Sequence, residues 1–247
     1  MDLERASLPR VEKISFKGEP AWIKRPEPER KDSLVLLHKA LEYVLPQVLH
    51  RTGASGGIEA IKDEAVRLKI FEAASLPVPK ILALTDDALI LSSTGNQLRK
   101  TLRDNQNKPE HVALLRLAME GLKSIHEAGL CHGRPFLKDM TVDANGKLYF
   151  LDLEEDPRAK MSLQDAQARD VWLLLASCTE FCSDPLHELA ALLKYYTSNS
   201  STDIVSNLRA LGKGLRPFRF IISALHIKNL SQDITGAYWS AKILERF

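Results

Sequence analysis

The stretch LCHGRPFLKDMTVDANGKLYFLDLEED, residues 130–156, decides how the rest of this sequence is interpreted. A helix-like apolar pattern precedes the stretch, which begins with a loop containing His132, Arg134 and Asp139. The apolar run LYFL then predicts a short strand, and Asp152 comes directly after it. Charged side chains at such a loop and strand end raise the question of whether they form one site.

Length and composition bound the class of protein. A chain of 247 residues is long enough for one large domain or for two lobes that share an interface. Hydrophobic residues make up 45% and charged residues 27%, which is ordinary for a globular protein. The formal net charge is +2 and no dense basic run occurs, so nucleic acid is not expected as a partner.

The remaining composition predicts a cytoplasmic protein. The opening MDLERASLPR lacks the apolar core of a signal peptide, and no apolar run reaches about 18 residues, so no membrane span is expected. The cysteines lack metal-type spacing, which favours reduced and mostly buried thiols; they are Cys131, Cys178 and Cys182.

The order of predicted elements indicates an α+β protein. RVEKISFKGEPAWIKRP predicts two strands around a turn at Gly18, and residues 33–50 predict a helix with a kink near Pro46. A long helix is predicted from Ile58, and KILAL and ALILSS predict two more strands. Most of the remainder is predicted to be helical. Strands early and helices late are typical of an α+β fold with two lobes.

Two apolar stripes are predicted on helices. In the helix that begins at Ile58 the stripe includes Ala65 and Leu68. In the later helix that ends before Gly129 the stripe comprises Val112, Leu115, Met119, Leu122 and Ile125. His126 lies near this second stripe and is interpreted as a packed core histidine. DVWLLLASC is apolar on nearly every side and predicts a buried helix.

Glu64 is an anomaly because it falls within the first stripe. A carboxylate that faces a core is costly unless a cation meets it. Either Glu64 lies at the edge of the stripe and reaches solvent, or it pairs with Lys24 of the predicted strand AWIKR.

The order and spacing of these segments resemble the protein-kinase-like phosphotransferases. The features are His132-Gly133 after a helix, eight residues from His132 to Asp139, and the strand LYFLDLE. They are similar to the bacterial branch that contains lipopolysaccharide-sugar (Kdo-type) kinases and toluene-tolerance-type proteins. The resemblance runs from about Val11 to about Thr179. It implies an N-terminal lobe over 1–94, with a helical insertion at about 32–52, and a mainly helical C-terminal lobe over 95–247.

The resemblance also implies roles for particular residues. Lys24 would hold the α- and β-phosphates of ATP, and Glu64 would be its helix partner. Asp152 would bind Mg²⁺, or Mn²⁺ in its place, together with Asp139, which stands where most relatives have asparagine. The hinge that would bond adenine consists of Ser92, Ser93 and Thr94.

Two further assignments concern the loop itself. Asp170 would tie the loop to the helix beneath it, although a helix N-cap is the simpler interpretation of this aspartate. His132 would shape the loop rather than react.

The sequence departs from the family pattern at Arg134, which occupies the position of the usual catalytic aspartate. An arginine cannot act as a base, so Asp139 would have to orient the acceptor hydroxyl. Arg134 would either bind the γ-phosphate or an anionic acceptor, or pair with one of three acidic neighbours, Asp139, Asp152 or Glu154. A glycine-rich phosphate loop is also missing.

These observations lead to two expectations for function. The first is an ATP- and Mg²⁺-dependent phosphotransferase, with Asp139, Arg134 and Asp152 as the catalytic residues. Its acceptor would be a hydroxyl of a cell-envelope or lipid-linked sugar, or of a protein serine or threonine, and contact with a membrane surface stays open. The alternative is a pseudokinase, a nucleotide-responsive binding or scaffold module without turnover.

Overall fold

An antiparallel sheet of four strands forms the N-terminal part of the protein. The computed structural model describes residues 9–26, 56–105, 110–198, 200 and 202–247. The strands follow the order β1-β2-β4-β3. Their bounds are β1 Val11–Phe16, β2 Glu19–Lys24, β3 Ile81–Leu84 and β4 Leu89–Ser92. The predicted helix at 33–50 and the insertion at 32–52 lie outside the described residues.

The first hairpin fixes the position of Lys24. Phe16 pairs with Glu19 across a turn of two residues, Lys17 and Gly18, and both turn residues have positive φ. Two positive φ values are typical of the turn that matches the natural twist of a hairpin, and glycine adopts them without strain. This register pairs Lys24 with Val11 on one side, and β4 pairs with Lys24 on the other. Lys24 therefore lies on a central strand.

Helix α1, Gly57–Ala73, packs its apolar face into the same core as the sheet. Ala65, Leu68 and Phe71 are buried, as the stripe predicts. Burying a large aliphatic or aromatic side chain stabilises a fold by about 1.5–3 kcal/mol, so this face holds the helix on the sheet. The same face also carries two charged residues, Glu64 and Arg67, both of which are buried.

The remainder of the chain is mostly helical. It begins with β5, Asn96–Gln97, which forms a second antiparallel sheet with β6, Met140–Val142, and β7, Leu148–Phe150. The helices are α2 Leu98–Asp104, α3 Glu110–Glu127, α4 Leu163–Cys178, α5 Pro185–Thr197, α6 Thr202–Ala224 and α7 Gln232–Arg246. The predicted α+β class is therefore confirmed. The division between residues 94 and 95 falls between β4 and β5 and stays a prediction.

The stripe predicted on α3 is correct except at one position. Leu115, Met119, Leu122 and Ile125 are buried, but Val112 is 47% exposed. In the first turn of the helix the buried residue is instead His111, which precedes Val112 and contacts the carbonyl of Phe181. Helix α4 contributes buried residues on most of its sides, as its apolar sequence predicts.

The cysteines are free thiols, as predicted. Cys131 and Cys178 are buried and Cys182 is half-buried. Burial raises the pKa of the Cys131 thiol to about 12, so this thiol stays protonated and unreactive at neutral pH.

Within the ranges that the structure describes, none of the helices has both the length and the apolar content needed to cross a membrane.

Candidate functional site

Lys24 is the centre of a buried ionic cluster. Its Nζ lies 2.7 Å from a carboxylate oxygen of each of three residues, Glu64, Asp152 and Glu154. The lysine comes from the end of β2, Glu64 from α1, and the other two from the segment after β7. The predicted pair of Lys24 and Glu64 is present. The alternative, in which Glu64 reaches solvent, is wrong, because Glu64 is 1% exposed.

The charges in this cluster shift one another's protonation. Burial by itself would lower the pKa of Lys24, but Glu64, Asp152 and Glu154 outweigh it, so the pKa is raised and the ammonium stays charged. Burial raises the pKa of Glu64, and Lys24 offsets this only in part. One ammonium faces three carboxylates at the centre of the cluster, and Arg10 and Arg134 pair with Glu154 and Asp152 at its edges.

The same carboxylates are arranged as candidate metal ligands. Glu64, Asp152 and Glu154 each offer an oxygen, and these oxygens all lie within 4.8 Å of one another. Carboxylate oxygens are the ligands that Mg²⁺ prefers in proteins. Of the two predicted metal ligands, Asp152 belongs to this group and Asp139 does not.

Asp152 has an unusual backbone conformation and is held by two cations. Its φ is 59°, in the left-handed region that residues other than glycine rarely adopt. Lys24 donates to Oδ1 at 2.7 Å, and Arg134 donates to Oδ2 at 2.6 Å. Burial opposes ionisation, but these two cations outweigh it and hold the pKa of Asp152 well below its usual range. Asp152 is therefore a fixed anion.

Of the three predicted neighbours, Arg134 pairs with Asp152. Its guanidinium contacts the Asp152 carboxylate, and Glu155 lies 3.4 Å away. Asp139 and Glu154, the other two predicted neighbours, are not the paired residues. The reason is the turn at Asp152, which directs the Asp152 side chain toward Arg134 and the Glu154 side chain toward Lys24 and Arg10.

Asp139 lies beside the cluster with a carboxylate that titrates near neutral pH. Burial and then repulsion from Asp152 raise the pKa of Asp139 to about 7. Its Oδ2 is buried and has no hydrogen-bond partner among the described residues. Asp139 therefore has a free oxygen close to the anionic centre.

A buried arginine that the sequence analysis missed holds the loop to the segment after β7. Arg67, on α1, donates to the backbone carbonyls of Cys131, His132, Leu153 and Glu155. The available signal was its position on the apolar face of the helix, three residues after Glu64. A charged residue on an apolar face needs a buried partner, so the argument made for Glu64 applies equally to Arg67.

Asp170 holds the same loop from the other side. Its carboxylate accepts hydrogen bonds from the backbone N–H groups of His132 at 2.6 Å and Gly133 at 2.9 Å. Asp170 lies in the middle of α4, whose N-cap is Ser162, so the tie to the loop is confirmed and the N-cap interpretation is wrong.

The two histidines have structural roles. His126 is buried as predicted, with Nδ1 2.6 Å from the Tyr196 hydroxyl and Nε2 3.3 Å from Asp170. His132 is also buried, and burial lowers its pKa to about 4, so it is neutral at physiological pH. Its Nδ1 accepts a hydrogen bond from the backbone N–H of Arg134, which agrees with a role in shaping the loop.

Gly133 is required where the two segments meet. Its φ is 100°, and a Cβ on this residue would lie 2.3 Å from the carbonyl oxygen of Glu155. Any side chain would therefore push the loop away from the segment that carries Asp152 and Glu154.

The predicted hinge begins at Ser92, the last residue of β4, and two of its backbone donors are already used. Ser92 N–H donates to the carbonyl of Lys80 at 2.9 Å, and Ser93 N–H donates to the carbonyl of Pro20 at 3.3 Å. The Thr94 hydroxyl lies 2.7 Å from that of Thr141. An adenine ring would therefore need other backbone groups of this segment.

A cavity of about 670 Å³ opens next to the loop. Phe136 and Lys138, which lie in the chain between Arg134 and Asp139, form one wall. Other lining residues come from α2, α4 and α7 and include Arg99, Trp172 and Gln232. Trp172 Nε1 is buried and has no hydrogen-bond partner among the described residues. The cavity thus combines aromatic surface with hydrogen-bonding groups, as small-molecule sites do.

Comparison with known proteins adds little to this geometry. No protein-family model matches the chain. The chain is 27% identical over 146 residues to a protein of Haemophilus influenzae described as uncharacterized. The match covers 59% of this chain and 53% of that protein, so the chain spans about half the length of this curated relative.

The titration of Asp139 gives a testable pH dependence. Because its pKa in the folded state is above the ordinary value of 3.8, the stability it contributes is fully present below about pH 4 and is lost as the pH rises through about 7. Asp139→Asn imitates the protonated form. Above pH 7 we expect this variant to be more stable than the wild type by roughly 2–4 kcal/mol, and the difference should shrink toward pH 4.

Urea unfolding followed by circular dichroism at several pH values measures this difference. Asp86→Asn, in the exposed turn between β3 and β4, serves as the control. Parallel stability curves for wild type and Asp139→Asn would contradict the assignment.

The contacts of Arg67 predict a large structural effect. Arg67→Met keeps the length of the side chain but leaves several buried carbonyls without a donor. We expect a loss of about 3 kcal/mol or more in the free energy of unfolding. Lys69→Met, an exposed position on the same helix, should change it by less than about 0.5 kcal/mol. Equal effects of the two substitutions in urea unfolding would show that Arg67 does not hold the loop.

Proposed function

We propose that the protein is a kinase-like phosphotransferase that uses ATP and Mg²⁺ to phosphorylate a hydroxyl group. One observation carries the proposal: the buried Lys24 meets carboxylates from α1 and from the segment after β7. A fold that needed only packing would gain little from a buried lysine and three carboxylates, because desolvation offsets the attraction between them. Such a cluster has a purpose if charged phosphate groups and a cation bind there.

Each residue of the cluster has a role in this proposal. Lys24 would contact the phosphates and Glu64 would hold the lysine in place. Asp152 and Glu154 would hold Mg²⁺, because their carboxylate oxygens converge with that of Glu64, and Asp139 is proposed as a further ligand. When bound, Mg²⁺ neutralises charge on the phosphate oxygens. The two-lobed arrangement with a division near residue 94 and a cytoplasmic location belong to the same proposal.

Asp139 is proposed to orient the acceptor hydroxyl. Its pKa of about 7 suits a group that accepts a proton near neutral pH, and its free Oδ2 supports this role. Arg134 remains charged and cannot take that role, but its guanidinium can bind the γ-phosphate or an anionic acceptor. The acceptor would be seated in the cavity that Phe136, Lys138 and Trp172 line.

Titration calorimetry with ATP, with and without Mg²⁺, tests the proposal. We expect wild type to bind ATP in a Mg²⁺-dependent way. Lys24→Met and Asp152→Asn should weaken this binding by roughly ten- to a hundredfold, the scale of losing one charge-assisted contact. Lys62→Met, an exposed lysine on α1, is the matched control. Affinity for ATP that Mg²⁺, Lys24→Met and Asp152→Asn all leave unchanged would refute the proposal.

A second candidate function is favoured by the contact between Arg134 and Asp152. Arg134 occupies Oδ2 of Asp152 at 2.6 Å, and Lys24 occupies Oδ1, so both oxygens of the proposed metal ligand are paired with cations. In a pseudokinase Arg134 would replace the metal charge. The protein would then bind a nucleotide or a partner without turnover.

Turnover of wild type and Arg134→Ala separates the two functions. In an enzyme the substitution should lower ATP turnover by roughly ten- to a thousandfold, with a smaller effect on ATP binding. In a pseudokinase wild type should show no turnover with sugar or protein acceptors, and Arg134→Ala should bind Mg²⁺ more tightly. Arg158→Ala, which removes an exposed arginine that pairs with Asp156, is the control.

A further inference from the structure

The C-terminal half of α6 presents apolar residues on two opposite faces. One face is buried against the rest of the protein and includes Leu211, Leu215 and Ile222. The opposite face carries a second stripe, here called the α6 stripe, which consists of Pro217, Phe220, Ile221 and Ala224 of the helix and of Leu225 directly after it. Its spacing of i, i+3, i+4, i+7 and i+8 is the periodicity of an amphipathic helix face. A helix that only covers a core needs one such face.

The α6 stripe is exposed. Phe220 is 69%, Ile221 47% and Leu225 61% exposed, and Leu230 in the segment after the helix is 71% exposed. Single apolar residues on a surface are ordinary, but four large ones within eleven residues of the chain indicate an interaction surface. The interior of the protein does not account for their position.

The charges around the α6 stripe have one sign. Residues 204–231 contain no aspartate or glutamate and five cationic residues: Arg209, Lys213, Arg216, Arg219 and Lys228. From the neighbouring helix α7, Glu245 pairs with Arg216 at 2.8 Å and with Arg219 at 2.6 Å. One carboxylate cannot balance two arginines. Lys213 and Lys228, which lie before and after the stripe, are exposed.

These charges argue against a second copy of the chain as the partner. In a two-fold pair each α6 stripe would face another, and Lys213 would approach Lys228 or Lys213 of the other copy. Like charges placed together across an interface are unfavourable. The partner that fits is apolar at its centre and negatively charged at its surface.

We propose that the α6 stripe, with Lys213 and Lys228, binds the surface of an anionic lipid bilayer. An amphipathic helix that lies in the plane of the membrane buries aromatic and aliphatic side chains at the level of the acyl chains. Its flanking lysines contact negatively charged head groups. Phe220, Ile221 and Leu225 would be the side chains buried among the acyl chains. Lys213 and Lys228 would contact the head groups. This inference does not depend on the proposed function.

Vesicle co-sedimentation of the full chain tests the proposal. Wild type should bind vesicles of phosphatidylcholine that contain about one third phosphatidylglycerol, and should bind pure phosphatidylcholine vesicles at least tenfold more weakly. Salt should weaken the binding, because it screens the lysines. Phe220→Ser with Leu225→Ser should reduce binding to the anionic vesicles by roughly tenfold or more, because the buried apolar area is lost.

The double substitution Lys213→Gln with Lys228→Gln tests the charges. It should weaken binding to anionic vesicles by roughly fivefold for each lysine. These lysines are chosen because Arg216 and Arg219 also hold α7 through Glu245. The matched control is Val66→Ser with Lys69→Gln, which changes an exposed apolar residue and an exposed lysine on α1 and should leave binding unchanged. Far-UV circular dichroism confirms that each variant is folded.

Three outcomes would overturn the proposal. The first is no binding of wild type to anionic vesicles at low salt, as expected if the stripe binds an acidic protein instead. The second is vesicle binding that the folded Phe220→Ser, Leu225→Ser variant retains in full. The third is a wild-type dimer in analytical ultracentrifugation that becomes a monomer in this variant, together with no binding of wild type to vesicles. That result would make the stripe an interface between copies of the chain.

Discussion

The ammonium of Lys24 and its carboxylate partners form the interaction on which the rest of the site depends. A buried lysine is tolerated only when its charge is met, and here Glu64, Asp152 and Glu154 all lie 2.7 Å from Nζ. Because these partners come from α1 and from the segment after β7, one charge joins the N-terminal sheet to the helical part of the chain. The left-handed backbone conformation of Asp152 allows the segment after β7 to direct its carboxylates toward Lys24.

The loop beside the cluster is held through its backbone as well as by apolar packing. Arg67 donates to carbonyls of this loop and of the segment after β7, and Asp170 accepts from the N–H groups of His132 and Gly133. Backbone groups have fixed geometry, so a loop fastened through them carries its side chains in defined positions. Leu137, which lies between Arg134 and Asp139, is buried in the core and anchors the same loop.

Whether a feature of the fold or of the site could be predicted from the sequence depends on the kind of interaction that forms it. Glu64 and Lys24 were predictable because a carboxylate within an apolar stripe needs a cation. The helical order and the buried α4 followed from periodicity. The carbonyl contacts of Arg67 leave no pattern in the sequence, since every residue has a carbonyl. The sequence left three possible partners for Arg134, because the choice among them depends on one positive φ at Asp152, which reverses the directions of successive side chains.

The central claim is that the Lys24 cluster is a nucleotide and metal site. A crystal structure with Mn²⁺ and a nonhydrolysable ATP analogue tests it most directly, because the anomalous signal locates the metal. The account predicts an anomalous peak beside Asp152 and contact between Lys24 and the phosphates. Arg134 should no longer donate to Oδ2 of Asp152, because the metal takes that oxygen. Nucleotide bound elsewhere, or Asp152 still held by Lys24 and Arg134 with no peak beside it, would contradict the account.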